Sequence, residues 1–161
     1  MASPGDIKRA ALVSGAILAA LGLSVPLIQQ WEGLQTRPYA DVTGIRTVCF
    51  GETGGENRSY TPDECATILI ARLSADFAPP LLKCVPGLAD RPKQLAASLS
   101  LAWNIGTGAF CKSTAAKRFK SGDWKGGCDA FLMWRYAGGK ELRGLLNRRK
   151  AERDLCLSDL P

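Results

Sequence analysis

Hydrophobic and polar positions change their rhythm twice along the chain. From Ala10 to Ile28 no residue carries a charge; Lys8 and Arg9 precede the run and Gln29, Gln30 and Trp31 follow it. A helix over this run, rising ~1.5 Å per residue, measures roughly 28 Å, close to the ~30 Å hydrocarbon core of a bilayer. "YADVTGIRTVCFG" then sets β-branched and aromatic residues around Val42-Thr43-Gly44, the pattern of a hairpin turning near Gly44. In "TPDEC", Thr61 stands as N-cap, Pro62 at the first helical position and Glu64 three after the cap, a capping box that starts a helix. Helices are predicted at about 62–76, 91–104, 113–120, 124–136 and 141–156, separated by "APP", "CVPG", "IGTG", "SGD" and "AGG". One small hairpin among helices makes the fold class α+β, mostly helical. The sequence divides into an N-terminal hydrophobic segment, 1–30, and a folded domain, 31–161.

The basic flank of the apolar run stays in the cytoplasm, which sends residues 29–161 across the membrane. The run is weakly apolar, because Ala, Gly and Ser supply nine of its residues, Pro26 lies near its exit and no aromatic residue is present. Retention in a bilayer is therefore expected to be marginal. Ala11, Gly15 and Ala19 put small residues at i, i+4 and i+8, a face able to pack closely on another helix. Three readings compete: a cleaved signal peptide, a permanent anchor, and an anchor that leaves the bilayer. Cleavage lacks a clean A-x-A exit, for which Ala20-Leu21-Gly22 is a poor substitute. A buried core helix is disfavoured by the uncharged length and the basic flank.

Composition, 46% hydrophobic and 22% charged over 161 residues, suits one globular domain with one core. The formal charge of +6 lies wholly in the C-terminal third: residues 112–161 hold twelve basic and six acidic side chains, and residues 1–111 hold nine of each. Such a field attracts polyanions, or is simply the solvated face of a helix with surplus lysines. Six cysteines without a CxxC pair, in a chain without histidine, argue against a metal site, and no cofactor is expected. Disulfides in an exporting compartment fit the even set better.

The absence of histidine removes Ser-His-Asp and Cys-His catalysis and the usual zinc hydrolase sites. Carboxylates remain, and two of them in different environments can hydrolyse a glycosidic bond. Glu32, ending an apolar helix beside Trp31, is a candidate for the protonated acid, since partial burial would raise its pKa; Asp41, entering a polar turn, would stay ionised. On spacing alone, two solvated surface acids are an equal alternative.

Glu32, Asp41 and Thr47, read as E-x8-D-x5-T within "EGL…Y.D..G..T...G.TG", resemble the catalytic triad of the phage lysozymes, the glycoside hydrolase family 24 muramidases. "SLAWNIGTGAF", "GDWKGGCDAF" and "WRYAGGKELRGLLNRRKAERDLC" extend the resemblance over nearly everything after residue 30. The apolar start is similar to that of the signal-arrest-release branch of these enzymes. The resemblance implies a lysozyme-like fold with a small hairpin lobe. It implies Glu32 as general acid, Asp41 as the group that positions water or stabilises the cationic sugar, and Thr47 beside that water. It further implies that Asn104 contacts the sugar and that Arg148 lies near Glu32, lowering its pKa while burial raises it. The implied activity is an endolysin hydrolysing the β-1,4 bond between N-acetylmuramic acid and N-acetylglucosamine. Where the family commonly has histidine, "FGET" offers Glu52, either a further acid in the cleft or, as we favour, a group bonding the glycine-rich turn.

Cys49 has no histidine to activate it and is better read as a disulfide partner. Of fifteen possible pairings of six cysteines, the one expected is Cys49 with Cys65, Cys84 with Cys111, and Cys128 with Cys156. These join hairpin to first helix, loop to loop, and the two C-terminal helices. The rival functions are a lytic transglycosylase, a catalytically silent membrane-anchored wall-binding module, and a DNA-binding module suggested only by Arg143, Arg148, Arg149, Lys150 and Arg153. Export argues against nucleic acid. The expected partners are peptidoglycan, the host secretion machinery and the bacterial inner membrane through residues 10–28. The chain is expected as a monomer, single-pass with its N-terminus cytoplasmic, then released to the periplasm.

Overall fold

The computed structural model describes the backbone of residues 4–161 and the side chains of 15–161. Helix α1, Pro4–Glu32, runs unbroken through Pro26. Ala20, Leu21, Ser24 and Ile28 are buried along it, with Ile17 and Val25 half-buried, a stripe at helical spacing that lies on the core. In this conformation the second half of the apolar run is thus a core helix. The small-residue face is not the one that packs: Gly15 and Ala19 are exposed, and the Ala11 side chain lies outside the described residues. Burying Leu21 and Ile28 stabilises by roughly 1.5–3 kcal/mol per side chain, more than close approach of small residues offers in water.

Strands β1, Gln35–Ala40, β2, Arg46–Cys49, and β3, Glu52–Thr53, form an antiparallel sheet in that order. The β1–β2 turn closes where expected, with Gly44 at φ 79° and its N–H bonded to the Asp41 carbonyl at 2.9 Å. The pairing Tyr39↔Thr47 holds at the turn and slips toward Gln35↔Cys49. Helix α2, Pro62–Arg72, carries the expected capping box: Thr61 Oγ1 accepts from Glu64 N–H at 3.1 Å and Glu64 Oε2 accepts from Thr61 N–H at 2.7 Å.

Beyond α2 the helix does not stop at 76. A π-helical turn, Leu73–Phe77, passes directly into α3, Ala78–Cys84, with the prolines of "APP" in its first turn. Proline is tolerated there because the first N–H groups of a helix have no intrahelical partner. By length and composition alone the stretch Pro62–Cys84 would cross a membrane, yet Cys65, Leu69, Leu73, Ala78 and Leu81 are buried in the core. Helix α4, Pro92–Ile105, is buried at every position from Gln94 to Ala102 and is the centre of the domain, packed between α1 and the C-terminal helix.

Gly106, at φ 87°, ends α4 and is followed at once by α5, Thr107–Lys112, where a plain break was expected. Helix α6, Thr114–Lys120, is capped by Ser113, and α7, Trp124–Asp129, by Asp123. The helix expected at 124–136 ends early: a 3₁₀ turn, Ala130–Trp134, leads into a two-stranded hairpin, β4, Tyr136–Ala137, and β5, Lys140–Glu141, turning on Gly138 and Gly139. Helix α8, Arg143–Leu157, starts two residues later than expected for the same reason. The three disulfides are Cys49–Cys65, Cys84–Cys111 and Cys128–Cys156, the expected set. They tie the hairpin to α2, α3 to α5, and α7 to α8.

Candidate functional site

Glu32 is the last residue of α1, and Gly33 turns the chain away at φ 68°. A carboxylate at a helix C-terminus faces the negative end of the helix dipole and needs a cation. Arg148 of α8 supplies it: Nη1 donates to Glu32 Oε1 at 2.6 Å. The same guanidinium donates from Nε to Glu152 Oε1 at 3.2 Å and from Nη2 to the Ser100 carbonyl at 3.3 Å.

Arg148, Arg149 and Glu152 share the inner face of α8 because i+3 and i+4 neighbours stack on a helix. Arg149 donates from Nη2 to Glu152 Oε1 at 2.9 Å and from Nη1 to Asn104 Oδ1 at 3.1 Å. Its Nε lies 2.7 Å from Glu152 Oε2, an ion contact whose angle falls outside hydrogen-bond geometry. Ser100 Oγ donates to Glu152 Oε1 at 2.7 Å. Arg149 and Glu152 are fully buried and Arg148 is 5% exposed. Burial pushes the Glu152 carboxyl above its ordinary value and the Arg149 guanidinium below, each opposed by the other's charge. Arginine releases its proton only far above neutrality, so Arg149 keeps its charge, and the Arg149 and Arg148 guanidinium groups bonded to Glu152 favour its carboxylate form against that burial.

In front of this cluster lies a cavity of about 290 Å³, lined by Glu32, Phe50, Gly51, Glu52, Thr53, Arg72, Phe77, Trp103 and Asn104. Phe77 and Trp103 meet with ring centroids 5.0 Å apart and give it an aromatic wall. Glu52 accepts from Arg72 at 2.9 Å, so its partner is on α2 and not in the glycine-rich turn. Arg72 also pairs with Asp76 at 2.8 Å.

Asp41 and Thr47 are on the hairpin and are not among the residues lining this cavity. Asp41 is half-buried at the turn, where Oδ1 accepts from Thr43 Oγ1 at 2.6 Å, Thr43 N–H at 2.8 Å and Ile45 N–H at 3.0 Å. These donors, the Thr43 hydroxyl foremost, hold its carboxyl below the usual carboxylate value. Thr47 is buried; its hydroxyl donates to the Ile45 carbonyl at 3.1 Å, leaving lone pairs for a water. The structure therefore brings Glu32, Arg148 and Asn104 together in one network and sets Asp41 and Thr47 on the neighbouring hairpin. Sequence reasoning missed Arg149, Glu152, Ser100, Phe77 and Trp103. The spacing of Arg149 and Glu152 from Arg148 on one helix face was the signal for two of them.

A helical domain with a hairpin lobe and a half-buried, arginine-held glutamate at the mouth of a cleft is the architecture shared with lysozymes. The phage lysozyme family model matches residues 29–152, and the chain belongs to that family, a lysozyme-type glycoside hydrolase. It is 40% identical over 132 residues to a SAR-endolysin of bacteriophage PS119, covering 78% of this chain and 76% of the relative. Among solved structures, a point mutant of P22 lysozyme superposes with a TM-score of 0.71 at 26% identity, covering 83% of this chain and 94% of that one. The active form of the P1 phage endolysin Lyz shares the fold with a TM-score of 0.74 at 23% identity, covering 92% and 95%.

Proposed function

We propose that the protein is an endolysin that hydrolyses the β-1,4 bond between N-acetylmuramic acid and N-acetylglucosamine of peptidoglycan. The observation that carries this reading is the Glu32 carboxyl, held by Arg148 at 2.6 Å beside a cleft that Asn104 and Trp103 line. Protonated Glu32 gives its proton to the leaving oxygen as the sugar develops positive charge. Asp41, kept ionised by its turn donors, stabilises that charge or directs a water, and Thr47 accepts a hydrogen bond from the water. Because Asn104 Oδ1 is taken by Arg149, the Asn104 amide hydrogens are left for an acceptor on the sugar. Purified wall digested by the chain is expected to yield fragments with reducing ends; anhydro sugars would make it a lytic transglycosylase.

Asp41 offers a separate check. Thr43→Val removes the largest of the contributions that keep its carboxyl ionised. Asp41 then takes up its proton at higher pH, so the acid limb of the activity profile moves up. An unmoved acid limb would show that Asp41 ionisation does not govern turnover.

The SAR-endolysin relative and the uncharged run Ala10–Ile28 support a second part of the proposal. The chain is first held in the inner membrane by that run, with its remaining residues in the periplasm, and acts after the run leaves the bilayer. While the run spans the membrane, Ala20, Leu21 and Ile28 are withdrawn from the core and Glu32 stays at the headgroups. Release lets α1 pack on α4 and sets Glu32 against Arg148.

A further inference from the structure

Glu152 is the one acidic side chain among the described residues that is fully buried. It is a fully buried carboxylate, contacted by Arg148, Arg149 and Ser100, and does not line the cavity beside Glu32. Taking an ion cluster of this kind out of water is expensive, and only close pairing of its charges offsets that cost. With Glu32 ionised, the two arginines and two glutamates balance. A proton donor, however, must carry its proton when the reaction starts, and then only Glu152 opposes two guanidinium charges.

We propose that Glu152 is a positioning residue for the chemistry at Glu32. It absorbs one of the two buried arginine charges, so that protonated Glu32 faces a single net positive charge, and it fixes Arg149, which in turn aims the Asn104 amide. The inference rests on the reading of Glu32 as the proton donor. The other charged groups lining the cavity beside Glu32 are Glu52 and Arg72, paired with each other; neither is altered by changes at Glu152 or Arg149. Asn104 and the Ser100 carbonyl, from α4, are uncharged.

The test is the pH dependence of kcat/KM for the full chain on solubilised glycan strands. Glu152→Gln keeps the shape and removes the negative charge on the far side of the Arg148 guanidinium from Glu32, so the basic limb moves to lower pH by roughly one unit. Arg149→Met removes a positive charge and moves the limb the other way, while KM rises because Asn104 loses its donor. The double variant restores the net charge. Its limb returns to the wild-type position with KM still raised, and it removes both buried partners together, so it serves if Glu152→Gln alone does not fold. A limb at the same pH in every folded variant overturns the proposal. Glu32→Gln separates the two ideas: if that variant still digests wall, the reading of Glu32 fails; if it is inactive and the limbs do not move, only the role of Glu152 fails.

Discussion

Glu32→Gln is expected to leave a folded protein whose digestion of purified peptidoglycan falls by ~10²–10⁴-fold, the range over which a positioned proton donor contributes. The amide oxygen can still accept from Arg148 Nη1, and Arg148 keeps its bonds to Glu152 and the Ser100 carbonyl. The cost to stability is therefore about 1 kcal/mol, a Tm shift of roughly 2–4 °C. Circular dichroism and thermal melting check the fold, and release of soluble muropeptides checks the activity. A variant that melts like wild type and digests wall at near wild-type rate would remove Glu32 from the mechanism.

Replacing Gly15 and Gly22 with leucine is expected to hold the protein in the membrane fraction and delay lysis. Each leucine adds roughly 0.3–0.6 kcal/mol of insertion energy, and both replacements relieve the helix cost of glycine. The released fold should tolerate them, because a Cβ at either position meets nothing within 4 Å and both lie on the exposed side of α1. The substitution thus acts on the membrane state while sparing the packed one. Depolarising cells should speed release of uncleaved wild-type chain. Cleavage near Ser24 would strip Ala20 and Leu21 from the core, so an active protein starting there would contradict both the packing of α1 and the release mechanism. Unchanged membrane retention and lysis timing in the double leucine variant would do the same for the tether.

What could be read in the sequence was mostly what is local. Thr61, Pro62 and Glu64 announce a helix start within four residues, and Val42-Thr43-Gly44 announces a turn; both are present. Locality also misled: "APP" reads as a break, although prolines fit the first turn of α3, and "AGG" hides a hairpin with strands of only two residues each. The contact between Glu32 and Arg148 spans 116 positions, and no periodicity reveals it; only resemblance to a family brought the two together. Glu152 stayed hidden for the opposite reason. In a helix with Arg143, Arg148, Arg149, Lys150 and Arg153, a glutamate reads as part of a surface ion pair, and only the packing of α8 on α4 shows that it is buried.

Digestion of purified peptidoglycan in heavy-oxygen water, followed by mass spectrometry of the released fragments, tests the proposed hydrolysis most directly. If water attacks the sugar whose leaving oxygen Glu32 protonates, each new N-acetylmuramic acid end carries one heavy oxygen and is reducible by borohydride. Fragments that end in anhydro sugar without the label, or a labelled end on N-acetylglucosamine, would contradict it.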